Sequence, residues 1–322
     1  MVLLWLGIRP KTTDDRQKLE LALQKILAED ATLAVRHEAD GATSLGAASE
    51  RKLDAVVRWL VEEFHVEAEV TGLDIAYIER LTCSAGGEMK YAVQSGGRGQ
   101  FAHVKLLVAP GEQGSGFVFE NILVGGAIPE EYVKPIEEGI DEARRHGVLI
   151  GCPIDDVQVT LFDGSYHDVD SSAAAFRIAA AQAFMNAARK AKPILLEPIM
   201  RVILSVPEEF GSRAEAMLRK RRARHVERPS GNEWLTLWAH VPLAATFGLP
   251  AEVRALTGGR GLCTMSFAHY APVALADDDG DRDAAVRAPL KPRTPLRTLT
   301  VAVPEPIDDA LDDDPPVRFY RT

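Results

Sequence analysis

The chain has 322 residues, 46% of them hydrophobic and 26% charged, which is ordinary globular composition and enough length for two or three hydrophobic cores. A formal net charge of −10 argues against a general nucleic-acid binder, whose affinity comes from neutralising phosphates. The three cysteines, Cys83, Cys152 and Cys263, are odd in number, widely spaced and free of any CxxC pair, which argues against a disulfide framework or a zinc site and fits a reducing compartment.

The opening run, Met1 to Ile8, is apolar but stops at Arg9-Pro10. It is too short to cross a bilayer and lacks the basic start of a signal peptide, so it reads as a buried strand of a cytoplasmic protein with no membrane contact. Thr12 and Thr13 cap a helix with Asp14 and Asp15 in its acidic first turn. Leu19, Leu23, Ile26 and Leu27 then fall at i, i+4, i+7 and i+8 and form one apolar face. Leu33 and Val35 alternate with polar residues ahead of a turn at Asp40-Gly41, and a second helix starts near Ser49 with Leu53, Val56, Val57, Leu60 and Phe64. Val66, Ala68 and Val70 alternate again. Residues 1–75 thus read strand, helix, strand, strand, helix, strand. Two helices on one face of an antiparallel four-stranded sheet, the ferredoxin-like arrangement, bury these faces.

Residues 76–197 differ. Tyr91–Gln94, Val104–Val108, Phe117–Ile122 and Val157–Leu161 read as strands, and Glu131–His146 and the alanine-rich Ser171–Ala191 as helices. Two polar, glycine-bearing stretches interrupt the strands, Ser95–Gln100 and Asp163–Ser171. Residues 198–272 return to the first order: strand Ile199–Val206, helix Glu208–Arg222, a strand near His225, strand Trp234–Val241, a helix Leu243–Leu256 bent or broken at Gly248 to Pro250, and strand Leu262–Tyr270. The fold class is therefore α+β. Residues 273–322 form an acidic, proline-rich tail that reads as largely disordered, with Leu299–Val303 as one possible added strand.

Charge is uneven along the chain. Arg213 to Arg228 holds seven basic and two acidic residues. Within it, Arg219, Lys220, Arg221, Arg222 and Arg224 read either as an RNA-facing patch or as a solvated helix end. The two polar stretches of the middle segment carry the other candidate chemistry. Closely spaced glycines, Gly96, Gly97 and Gly99, let the backbone approach a phosphate chain, and Arg98 suits a bidentate phosphate contact. Gln100 and His167 suit base edges or 2′-hydroxyls, and Tyr166 suits stacking on a base. By chemistry alone, tight turns are the favoured reading of both stretches, because glycine-rich turns are common.

No GxxxxGK[ST] phosphate loop occurs anywhere. His167, Asp168, Asp170 and Ser171 are the residue types of a hydrolase triad, but such triads assemble in space rather than from neighbours in one short segment. Asp163, His167, Asp168 and Asp170 match no recognised metal-ligand spacing. The residues therefore point to a protein that is not an enzyme and needs no metal or cofactor.

Four motifs carry a resemblance: Gln94–His103 (QSGGRGQFAH), Val124–Tyr132 (VGGAIPEEY), Val159–Ser172 (VTLFDGSYHDVDSS) and Leu195–Met200 (LLEPIM). In that order they closely resemble domain IV of the elongation factor G family and the start of its domain V. Gly258–Gly261 with Phe267–Tyr270 is similar to the end of domain V, and Ile8–Thr12 with Leu27–Asp30 to the start of domain III. The resemblance spans about Val2 to Tyr270. It implies ferredoxin-like domains III and V and a domain IV with the fold of ribosomal protein S5.

It further implies a role at the ribosome. Domain IV of the family enters the small-subunit decoding site, meeting ribosomal RNA, transfer RNA and messenger RNA through two tip loops. The matching residues here are Ser95, Gly96, Gly97, Arg98, Gly99, Gln100 and His103 on one side, and Tyr166, His167 and Asp168 on the other. The family's GTPase and β-barrel domains precede domain III, whereas the chain as read starts at the first strand of domain III. GTP binding by the family's route is therefore not expected. Ala47–Asp54 departs from the family's glycine- and histidine-bearing run, and Phe101-Ala102 stands where the family usually has Tyr-Gly. The expectation is a ribosome-binding factor near the aminoacyl site that modulates translation or translocation. The alternative is an interaction module supplying these domains in trans to a separate translational GTPase or another partner.

Overall fold

The computed structural model describes residues 1–37, 42–95, 98–227 and 234–273. The turn expected at Asp40-Gly41, and the tail from residue 274 with its expected strand Leu299–Val303, lie outside the described residues. The first unit comprises β1 (Leu4–Pro10), α1 (Thr13–Glu29), β2 (Ala34–His37), β3 (Thr43–Ala47), α2 (Glu50–Phe64) and β4 (Ala68–Ile75). Its sheet order is β2-β3-β1-β4, with β1 antiparallel to both β3 and β4. This is the ferredoxin-like arrangement expected from the sequence.

Both helices start at side-chain caps. The Thr12 hydroxyl accepts from the Asp15 amide at 3.1 Å, and the Ser49 hydroxyl accepts from the Lys52 amide at 3.4 Å. Asp15 does a second job: Thr12 Oγ1 donates to its carboxylate at 2.5 Å, and the Glu67 amide donates to the other oxygen at 2.9 Å. One buried carboxylate thereby ties the start of α1 to the approach of β4.

The middle unit contains β5 (Ile78–Arg80), β6 (Ala85–Ser95), β7 (Arg98–Pro110), β8 (Phe117–Asn121), α3 (Val133–His146), β9 (Val157–Ser165) and α4 (Ala173–Lys190). The sheet order is β6-β7-β9-β8. Only β8 and β9 run parallel, joined by the crossover through α3. The strands outrun the hydrophobic alternation seen in the sequence. β6 and β7 stay paired from Ala85↔Val108 to Ser95↔Arg98, across polar and glycine positions whose ladder bonds are made by backbone alone. Under the sheet, α4 buries Ala175, Ala179, Ala180, Ala183, Ala187 and Ala188 completely, with Phe176 and Phe184 filling the wider gaps.

The last unit has β10 (Ile194–Pro207), α5 (Gly211–Lys220), β11 (Arg224–Glu227), β12 (Trp234–Pro242), α6 (Leu249–Leu256) and β13 (Leu262–Pro272), in sheet order β11-β12-β10-β13. It repeats the ferredoxin-like topology with two differences from the expected helices. Glu208–Phe210 is a 3₁₀ turn ahead of α5, and Leu243–Ala245 is another, separated from α6 by Gly248 at φ 75°. Pro250 lies in the first turn of α6, where its missing N–H costs nothing. The short strand β5 has no counterpart among the expected elements. It pairs antiparallel with β10 (Ile194↔Arg80 to Leu196↔Ile78), so a strand that precedes the middle sheet in sequence joins the third. Buried apolar residues of the first and third units form one continuous cluster, and the middle unit has its own.

Glu79 of β5 is fully buried. Its carboxylate accepts three backbone N–H bonds, from Val148 (2.7 Å), Leu149 (2.9 Å) and Ile150 (3.1 Å). Gly147, at φ 57°, turns the chain out of α3 so that these amides converge, and a Cβ there would lie 2.5 Å from a Glu79 oxygen. The Glu79 backbone pairs with the same segment, its N–H donating to Pro153 at 2.8 Å and its C=O accepting from Asp155 at 3.0 Å.

These two carboxylates can be tested separately. Glu79→Ala removes the acceptor of three N–H groups from a buried site and should cost roughly 3 kcal/mol, read as a lowered urea midpoint of the far-ultraviolet transition. An unchanged midpoint would show that the three bonds are dispensable. Asp15 is held below its ordinary pKa of 3.8, first by the Thr12 hydroxyl and then by the Glu67 amide. A depressed folded pKa gives stability that is present above the unfolded value and lost as pH falls through the folded one. Between pH 4 and 2, Asp15→Asn should therefore lose less thermal stability than the parent, measured as the slope of Tm against pH (window about 2–4).

Candidate RNA-contacting tip

β6 and β7 form a long hairpin whose closing pair is Ser95↔Arg98. Gly96 and Gly97 lie outside the described residues. Gly99 pairs with Gln94, and Gln100 pairs with Val93 and is exposed. Ser95–Gln100 is thus the end of a ladder rather than an independent loop.

The second predicted stretch emerges from β9 and turns back into α4 beside this hairpin. Three backbone-centred bonds fix it there. The Phe101 amide donates to the Asp170 carbonyl at 2.8 Å, the Ser171 hydroxyl donates to the Phe101 carbonyl at 2.8 Å, and the Ser171 amide donates to the His167 carbonyl at 3.1 Å. The His167 amide in turn donates to Ser171 Oγ at 2.9 Å. Gly99 abuts Asp170 so closely that a Cβ would stand 2.7 Å from its carboxyl carbon. The absence of a side chain at 99 is what lets the two stretches meet.

Anchored this way, the segment presents Tyr166 (42% exposed), His167, Asp168 and Val169 (83% exposed) to solvent. His167 Nδ1 lies 3.2 Å from Asp170 Oδ2 and 3.4 Å from the Val169 amide. The carboxylate only accepts, so Nδ1 carries the proton toward Asp170, and the longer Val169 contact is not a hydrogen bond in that tautomer. Nε2 is left as an outward acceptor in neutral imidazole and a donor once protonated. Phe101 supports the ring at a centroid distance of 6.4 Å, and Lys90 Nζ lies 5.6 Å from the Phe101 ring on its own side.

His103 lies lower on β7 and belongs to a different network. Its Nε2 donates to Glu88 at 2.8 Å, which leaves Nδ1 to accept from Ser165 Oγ at 3.2 Å. Lys105 and Asp163, one pair further down, bond at 2.9 Å. That contact raises the Lys105 pKa and lowers that of Asp163. His103 therefore cross-links strands, whereas Tyr166, His167 and Asp168 face outward. Phe101, Asp170 and Ser171 position the tip, a role the sequence does not announce because it is played through bonds to backbone groups. The Ser171 hydroxyl is engaged with backbone on both sides, which leaves no Ser-His-Asp relay. Among the described residues no group of three or more His, Cys, Asp or Glu side chains is placed to hold a metal.

The basic stretch at the end of α5 sends its side chains in different directions. Arg219 pairs with Glu215 at 2.6 Å, and Lys220 is exposed. Arg221 turns inward, donating to the carbonyls of Ala245 (2.5 Å) and Phe247 (3.0 Å) and pairing with Glu252, so it clamps the turn before α6. Arg222, at φ 60°, reaches the buried Glu197 at 3.4 Å, and Arg224 opens β11. A left-handed residue in the middle of the run splits the cations between two directions.

Comparison with known proteins accounts for these three units. Sequence models for Elongation Factor G, domain III, for Elongation factor G, domain IV, and for the Elongation factor G C-terminus match residues 2–72, 74–192 and 194–279. The chain belongs to the elongation factor G family. A crystal structure of a Thermus thermophilus protein is similar at 36% sequence identity and a TM-score of 0.63. The match covers 84% of this chain and 40% of that one, so the chain spans less than half of the solved relative. A translation-related protein follows from the family. Among the described residues no helix is long and apolar enough to cross a membrane.

The tip geometry makes a prediction of its own. Ser171→Ala removes both hydroxyl bonds that pin the second stretch, and should raise amide hydrogen exchange at residues 166–170 by about thirtyfold while exchange in α4 stays put (about 1 kcal/mol per lost bond). Equal protection in both proteins would mean that backbone pairing alone sets the tip.

Proposed function

We propose that the chain is a non-catalytic ribosome-binding protein whose middle unit enters the decoding and aminoacyl region, touching ribosomal RNA and the transfer RNA–messenger RNA pair, and so modulates translation or translocation. The observation that carries this reading is the docking of the two polar stretches into one solvent-facing tip by Phe101, Asp170 and Ser171. Tyr166 offers a ring for base stacking, His167 a hydrogen-bonding edge aimed away from Asp170, and Gln100 an amide for 2′-hydroxyls or bases. In sequence, the two glycines between Ser95 and Arg98 suit close approach to a phosphate chain, with Arg98 as the cation. The 322 residues contain no phosphate-loop motif, so the binding supplied by these units is independent of nucleotide.

The test is co-sedimentation with bacterial 70S ribosomes without nucleotide. The parent should pellet with ribosomes at low salt and release as salt rises. Arg98→Ala/His167→Ala should weaken binding about tenfold or more, the loss of one charge-assisted and one neutral contact. Failure of the parent to bind even at low salt would falsify the reading and direct attention to a separate translational GTPase as partner.

A further inference from the structure

In the third unit Val202, Leu204, Leu235, Leu237, Ala239 and Val241 are buried in the cluster that also holds Leu218 of α5 and Val253 of α6. The alternate residues of the two central strands turn to the opposite face of the sheet. They are Arg201, Ile203 and Ser205 on β10, and Trp234, Thr236, Trp238 and His240 on β12. Trp234 and Trp238, two of the chain's four tryptophans, are 44% and 36% exposed. Four residues apart on one strand, they stand about 14 Å from each other. Arg201 is exposed and stacks its guanidinium 4.6 Å from the Trp238 ring centroid. On β13, Thr264 and Ser266 pair with Ile203 and Arg201 and are exposed as well.

This row of rings ends in a recess. His240, two residues beyond Trp238, lines a cleft together with Glu197, Arg222, Arg224, His225 and His269. Ring centroids lie 5.9 Å apart for His225 and His240, and 5.3 Å apart for His240 and His269. Burial first, then His269 and His225, holds His240 below its ordinary pKa, so this ring offers a hydrogen-bonding edge and the fixed positive charge comes from Arg222 and Arg224. Two carboxylates oppose them: Glu197, buried beside Arg222 at 3.4 Å, and Glu227, which pairs with Trp238 across β11 and β12. Arg201, Arg222 and Arg224 outnumber these two. When a four-stranded sheet takes up single-stranded RNA, bases stack on its aromatic rings and on guanidinium planes, and phosphates meet the cations. We propose that the open face of the third sheet binds single-stranded RNA, with one base on the Arg201–Trp238 pair, another on Trp234, and a backbone phosphate at Arg222 and Arg224.

The inference stands apart from the tip and is tested on the full-length chain without ribosomes. The probe is an unstructured single-stranded RNA of about eight nucleotides. On titration, the indole N–H resonances of Trp234 and Trp238 should shift in the NMR spectrum, while those of Trp5 and Trp59, on β1 and α2 of the first unit, hold still. Trp238→Ala should weaken RNA binding about tenfold, and Trp238→Phe should restore most of it, since a base stacks on either ring. Arg224→Gln leaves both indoles in place and should flatten the slope of log K against log salt by about 0.7, the value for one phosphate contact on a single strand. The tip variant Arg98→Ala/His167→Ala should keep both indole shifts, which separates this face from the tip. RNA binding that leaves Trp234 and Trp238 unmoved would overturn the proposal. So would binding abolished by the tip variant and untouched by Trp238→Ala. No binding at low salt would also overturn it and would assign the face to a protein partner.

Discussion

A buried carboxylate has to be satisfied by hydrogen bonds or neutralised, and Glu79 is satisfied by the turn that ends α3. That requirement joins three parts of the molecule. Glu79 sits in β5, β5 pairs with the start of β10, and β10 runs on as a central strand of the third sheet. The route from the tip-bearing unit to the third unit therefore passes through one side chain and one strand. Tyr270 of β13 adds a second tie, donating its hydroxyl to the Ala76 carbonyl at 2.9 Å. Burial pushes Tyr77, Tyr270 and Cys152, packed around this junction, up to about 12.

A long hairpin is useful as a probe only if its far end is held. The β6–β7 ladder supplies length, but a two-stranded ribbon alone is marginal. Two supports correct this. Along its base the ribbon lies on α4, whose buried alanines admit close contact, and at its end the β9–α4 connection is stitched to Phe101. Both supports come from α4, which carries Ser172 as its N-cap, immediately after the Ser171 that pins the tip. The position of the exposed Tyr166–Val169 segment is thus fixed by where a helix starts.

Much of this was legible in the sequence. The amphipathic spacing of Leu19 and Leu23, and of Leu53, Val56 and Leu60, located α1 and α2, and all five residues are buried. The repeated element order located both ferredoxin-like units. The motifs located the stretches that form the tip. What escaped depends on tertiary pairing. Ile78–Arg80 is three residues long, with no periodicity to read, and becomes a strand only because β10 is beside it. Asp170 and Ser171 act through backbone bonds that no side-chain pattern announces. The run Arg219–Arg224 looked like one patch because sequence proximity hides direction. Arg221 faces the turn before α6, and Arg222 faces Glu197.

The net charge of −10 was also a poor guide to the tip, for a local reason. Fields from exposed charges fade over about 8–10 Å in physiological salt, so what a nucleic acid meets at the tip is decided by the residues there. Along the arm the acids are matched in place: Glu88 with His103, Asp163 with Lys105, and Asp170 with His167. Such exposed pairs contribute little to stability. Lys105 sets a fixed positive charge against Asp163, whereas the imidazoles of His103 and His167 hydrogen-bond their carboxylates and so hold them along the arm. Asp168 is exposed next to His167. An acidic protein can therefore carry an arm whose end is read through the residues it presents there rather than through the net charge of the chain.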